Sequence, residues 1–100
     1  MTNSITNMFT NCYNLRELDI NNWTVNTATS MASMFAGCYS LTSLNLSSWN
    51  PANCTTFVSM FSNCSSLTTV GNISNWNTSK CTSMASMFRY CRALKEIPPI

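Results

Sequence analysis

Cysteine is the residue type best placed to do chemistry in this sequence. There are six cysteines and no histidine. Cys12, Cys38, Cys64 and Cys91 recur at one position of a pattern. Cys54 and Cys81 recur at a second, which Ala28 fills in its first occurrence. Three readings compete: a disulfide framework, a metal site, or buried free thiols. Structural zinc sites draw on close Cys-x-x-Cys pairs or histidine, and the sequence has neither. Free cysteine packs as a small hydrophobe, so the first four are read as a column of buried thiols. The Ala28 replacement gives the second position a small apolar role, with a Cys54–Cys81 bridge as the alternative.

The carboxylates are Glu17, Asp19 and Glu96. Two apart on an extended segment, Glu17 and Asp19 face the same way. Such a pair can divide acid and base roles, but a solvated face is the simpler reading. Serine and threonine abound, yet no histidine is present to activate a hydroxyl. Two glycines, Gly37 and Gly71, do not make a glycine-rich phosphate loop. The expectation is a protein that is not an enzyme, with no catalytic residue, no cofactor and no metal.

Charge narrows the partners. The net charge is +2, and charged residues make up 8% of the chain, against roughly 25% in ordinary globular proteins. That leaves no electrostatic footprint for nucleic acid. Arg89, Arg92 and Lys95 read as a solvated edge. No apolar run is long enough for a membrane span, and no targeting signal is visible. Asn, Ser and Thr take the place of charge. Their short side chains suit tight turns in which they bond to nearby backbone.

The element that must position all these residues is a repeat. Met8-Phe9, Met34-Phe35, Met60-Phe61 and Met87-Phe88 recur with the Phe residues 26, 26 and 27 apart. Cysteine follows each Phe by three. Leu15, Leu41, Leu67 and Leu94 come next, then Leu18, Leu44, Val70 and Ile97. Ile20, Leu46 and Ile73 precede Trp23, Trp49 and Trp76. The third unit carries one extra residue, which the phase places at Gly71-Asn72 as a β-bulge.

The Leu-x-Leu alternation predicts short parallel strands over 15–20, 41–46 and 67–73, with a contribution near Leu94–Ile97. Met or Phe at i, i+3 and i+4 predicts helical turns over 29–35, 55–61 and 82–88, with Thr29, Thr55 and Thr82 as caps. The fold class expected is an α/β solenoid of leucine-rich-repeat type, about four coils of 26–27 residues. It is a single repeat domain over 1–100, with units near 9–34, 35–60, 61–87 and a partial one at 88–100, and is read as a fragment of a longer solenoid. A single coil does not bury its own apolar face, so neighbours supply the stability. Leucine-rich repeats place Asn or Cys where this unit has Trp. The turns therefore need other partners, for which Asn22, Ser48 and Asn75 stand ready.

The unit Met-x-x-Met-Phe-x-x-Cys-x-x-Leu-x-x-Leu-x-Leu-x-x-Trp, clearest from Met31 to Trp49, resembles the repeat of BspA-like leucine-rich surface proteins. That resemblance implies a cell-surface or secreted location and a role in adhesion or protein–protein interaction. It supplies no catalytic residues.

A binding module is the first functional expectation. Its partner-binding face would carry Glu17, Asp19, Asn21, Ser43, Asn45, Ser47, Thr69, Asn72 and Ser74, and its partner would be a protein or cell-surface ligand. The alternative is a structural spacer or virion component. Each end would then make end-to-end contacts with another chain or with further repeats, because Phe9, Leu15 and Leu18 at one end and Phe88, Leu94 and Ile97 at the other lack a covering coil.

Overall fold

Residues 29–35, 55–61 and 82–88 do not form helices. The computed structural model describes residues 4–96. In a helix each amide donates to the carbonyl four residues back. Here the amides of Met31, Ser33, Phe35 and Gly37 donate to the carbonyls of Thr56, Val58, Met60 and Ser62 in the next repeat, at 2.8–3.1 Å. The alternate amides of Met34, Ala36 and Cys38 close turns onto Met31, Ser33 and Phe35. Half of the amides thus serve the local turn and half serve the neighbour.

Backbone handedness enforces this arrangement. Ser33 and Gly37 lie at φ +55° and +76°. Their repeat equivalents Asn7 and Asn11, Ser59 and Asn63, and Ser86 and Tyr90 are also left-handed. A left-handed non-glycine residue costs roughly 1–2 kcal/mol, and one inside each segment, Ser33, Ser59 or Ser86, followed by a second just past its end, interrupts any right-handed helix. The pairing between repeats offsets that cost. Met31, Met34 and Phe35 are still fully buried. Two successive turns place them on one face much as a helix would, which is why their spacing mimics one.

The α/β solenoid is therefore overturned. Among the described residues there is no helix. Bridge pairing among them is confined to four isolated parallel contacts, Ser4 with Ser30, Ser30 with Thr56, Thr56 with Ser83, and Ser43 with Thr69. The body is compact, 29 × 25 × 22 Å. Three of the four bridges involve residues inside the segments expected to be helical. The segments expected to be strands contribute one. Over those segments the backbone bonds are sparse: Thr42 to Arg16, Thr68 to Thr42, Leu44 to Thr69 and Leu46 to Val70. Within 67–73 the Gly71 amide turns back onto its own segment and donates to Thr69 Oγ1 at 3.0 Å. Ile97 lies outside the described residues.

The threonines expected as helix caps instead join repeats. Thr55 donates its amide and its hydroxyl to the Thr29 carbonyl at 2.9 and 3.0 Å. Thr82 does the same to Thr55 at 2.8 and 3.0 Å.

The extra residue of the third unit sits at Gly71, at φ +82°. The amides of Leu44 and Leu46, two apart, meet the carbonyls of Thr69 and Val70, one apart. The slip lies between isolated contacts and not within a sheet, so it is an insertion in a ladder and not a β-bulge.

Equivalent side chains pile into columns. Phe9, Phe35, Phe61 and Phe88 stack with centroids 5.5, 5.5 and 5.2 Å apart. Phe35 and Phe61 are fully buried, while Phe9 and Phe88 are only partly covered. Leu15, Leu18, Trp23 and Leu94 are likewise half-open, whereas Leu41, Leu67, Leu44 and Trp49 are buried.

Candidate functional site

The columns use polar atoms as well as apolar ones. Cys38, Cys64 and Cys91 aim their thiols at the carbonyls of Phe9, Phe35 and Phe61 in the preceding repeat, at 3.1, 3.0 and 2.9 Å. All six cysteines are free. Cys54 is buried too and bonds to the Thr56 carbonyl at 3.2 Å, while Cys12 and Cys81 are half-buried. Burial raises the Cys38 thiol to about 11 and the Cys64 thiol to about 12. It also pushes Cys54 and Cys91 up. A thiol held in its neutral form is a poor nucleophile and a poor ligand. Its work here is to pack and to satisfy a carbonyl.

Tryptophan also ties one repeat to the one before it. Trp49 Nε1 donates to the Ile20 carbonyl at 2.8 Å, and Trp76 Nε1 to the Leu46 carbonyl at 3.0 Å. Of the residues expected to help, Ser48 bonds to Asn21, its amide reaching Oδ1 at 3.1 Å and its hydroxyl reaching the carbonyl.

Five of the nine face residues meet in one place. Glu17, Asp19, Ser43, Asn45 and Thr69 line a groove of about 570 Å³ with Leu18 and Leu44. All five are exposed, and Leu44 is buried beneath them. Ser43 and Thr69 are the bridged pair, which fixes the spacing along the groove. Thr69 also belongs to a second depression of about 510 Å³, formed with Thr68, Val70, Gly71 and residues 93–96. The other four lie outside the first groove. Asn21 borders a separate hollow beside Trp23. Ser47 is engaged through its amide with Asn45. Ser74 donates its amide and hydroxyl to Asn72 Oδ1 at 3.1 and 2.7 Å, which ties both to a local turn.

One surface feature falls outside that face. Tyr13 and Tyr39 are about half exposed and stack with centroids 5.2 Å apart and planes 6° apart. The signal was present in the sequence. Tyrosine follows the column cysteine in the first two repeats, and serine and arginine take that place in the next two. Tyr90 is exposed as well, with the Arg89 guanidinium 4.7 Å from its ring centroid.

Among the described residues, no group of three or more His, Cys, Asp or Glu side chains is placed to hold a metal ion. No helix among them is long and apolar enough to cross a membrane. No curated protein and no solved structure matches the chain. A family model described as "Mycoplasma protein of unknown function, DUF285" matches residues 2–98. The stacked units that build the groove all fall within that match, and the chain belongs to this family.

Proposed function

We propose that the chain is a non-catalytic binding module of a cell-surface or secreted protein. It acts in adhesion or protein–protein interaction and meets a protein ligand through the Glu17–Thr69 groove. The observation that carries this reading is the groove itself, because three successive repeats contribute exposed polar side chains to one surface over a buried apolar floor. A backbone held by contacts between repeats loses little freedom on binding, which favours affinity. Glu17 and Asp19 give one end of the groove acidic character and a preference for a basic or amide-rich patch. The likeness to BspA-like surface repeats supports the same role.

Immobilised chain tested against purified extracellular-matrix proteins and whole host cells checks the proposal. Saturable binding is expected, and Ser43→Arg and Asp19→Arg should each weaken it at least roughly tenfold, the scale of losing or repelling one interfacial contact, with unchanged thermal melting. Absence of binding across the panel, or binding indifferent to both substitutions, overturns it.

One observation favours a second reading, a structural or assembly component. The apolar columns are closed inside the stack and half-open at its two ends.

A further inference from the structure

We propose that the flank of the stack beside the column cysteines binds an acidic sugar. Its ring would lie on Tyr39, in the gap at Ser65, and its carboxylate would meet Arg92. This site is separate from the Glu17–Thr69 groove and does not rest on it. The position after each column cysteine holds Tyr13, Tyr39, Ser65 and Arg92 in turn. The thiols of Cys38, Cys64 and Cys91 bond to the preceding repeat in one way, so the residues beside them share one register. The amides of Tyr39 and Arg92 close the same short turn, onto the carbonyls of Gly37 and Tyr90, each at 3.0 Å. Tyr13 and Tyr39 show what that register does with rings, which stack with centroids 5.2 Å apart and planes 6° apart.

The tyrosine stack stops at Ser65, although the repeats do not. The phenylalanines of the inner column step 5.5 Å from Phe35 to Phe61 and 5.2 Å from Phe61 to Phe88. Tyr39 and Arg92 stand two such steps apart in their own column, and the level between them carries only the short, exposed side chain of Ser65. Tyr39 is about half exposed, and Tyr13 is the one ring against it among the described residues. Its other face is open toward the Ser65 level. The gap has repeats of this chain on both sides and opens sideways.

The groups around the gap select the occupant. The Arg92 guanidinium lies 5.9 Å from the Tyr90 ring centroid. That of Arg89 lies 4.7 Å from it and donates to the Tyr90 hydroxyl at 3.0 Å. Neither arginine is paired with a carboxylate among the described residues. A guanidinium offers a carboxylate two parallel N–H bonds. The hydroxyls of Tyr39 and Ser65 have no partner among the described residues. A sugar ring presents C–H groups on a face, which suit an aromatic surface, and hydroxyls round its rim, which need polar partners. An aromatic side chain of a peptide would stack equally well but leave those hydroxyls and the guanidinium unmatched. A sugar that carries a carboxylate, a uronic or sialic acid, matches all three.

Titration of the isotopically labelled chain, followed by NMR, tests the proposal. The probes are glucuronate and N-acetylneuraminate, with glucose, phenylacetate and inorganic sulfate as comparisons. Saturable shifts are expected at the amides of Tyr39 and Ser65 with the acidic sugars, and glucose and phenylacetate should each bind at least about tenfold more weakly. Ser65→Tyr should continue the ring stack, melt no lower than the unmodified chain and weaken acidic-sugar binding at least about tenfold. Arg92→Gln should bring the acidic sugars to the level of glucose. No saturable shift, glucose or phenylacetate bound as tightly as the acidic sugars, or displacement of the sugar by an equal concentration of sulfate overturns the proposal. So does a Ser65→Tyr chain that melts lower, because its level is then already filled, or one that binds the acidic sugars unchanged.

Discussion

Cys64 and Trp49 show how single residues hold one repeat to the next. Each is buried by its apolar body and spends its one donor on a carbonyl of the preceding repeat. A buried carbonyl stripped of its donor costs roughly 1–3 kcal/mol. Trp49→Phe keeps most of the apolar contact and orphans the Ile20 carbonyl. Trp23 is half-buried, and its indole N–H has no acceptor among the described residues. Urea denaturation should therefore find Trp49→Phe roughly 1–3 kcal/mol more damaging than Trp23→Phe, and equal losses would remove the tryptophan ladder from the account. The thiols make a prediction with pH. Unfolded thiols ionise near 9.0, while Cys38 and Cys64 hold their protons to about 11 and 12. Between those values the folded chain binds more protons than the unfolded one, so stability falls as pH rises. The contribution is complete below pH 9.0 and is lost through the folded values. The urea midpoint should drop above pH 9.0, and Cys38→Ala/Cys64→Ala should make that drop shallower.

The turn segments and the ladder insertion decide what was legible at the scale of elements. The phase of the repeat, the column residues and the position of the extra residue could all be read from spacing. The type of element could not. Met31, Met34 and Phe35 sit on one face whether the chain coils as a helix or as two turns split by a left-handed residue. Ser33 and Ser59 give no warning, because serine rarely takes positive φ; only Asn7, Asn11, Gly37 and Asn63 hint at it. The strands failed for a related reason. Thr69 offers its hydroxyl to the Gly71 amide and takes a bond that a sheet would need, while Asn45 and Asn72 draw the amides just past each segment into turns. Gly71 combines a left-handed φ of +82° with close packing, since an added Cβ would lie 2.5 Å from Asn45 Oδ1 and 3.2 Å from the Leu46 nitrogen. Gly71→Ala should destabilise by more than about 1 kcal/mol. Asn45→Ala in the same chain should recover part of that loss by removing the clash and leaving the backbone strain. Thermal melts of the three variants check this, and a neutral Gly71→Ala would mean that the insertion lies elsewhere.

For the molecule as a whole, stability resides in the contact between repeats. Each column is buried in the middle repeats and half-open in the first and last described ones. The polar face was legible as a set of exposed residues, but its division was not. Glu17, Asp19, Ser43, Asn45 and Thr69 converge because a bridge fixes two of them, whereas Asn72 and Ser74 are drawn into a turn beyond Gly71. The central claim is that alternate amides of the Met-Phe segment cross to the next repeat instead of closing a helix. Scalar couplings transmitted through hydrogen bonds test it most directly in labelled protein. The amides of Ser33, Phe35 and Gly37 should couple to the carbonyl carbons of Val58, Met60 and Ser62, and couplings from those amides to Thr29, Met31 and Ser33 would instead establish a helix and contradict the account.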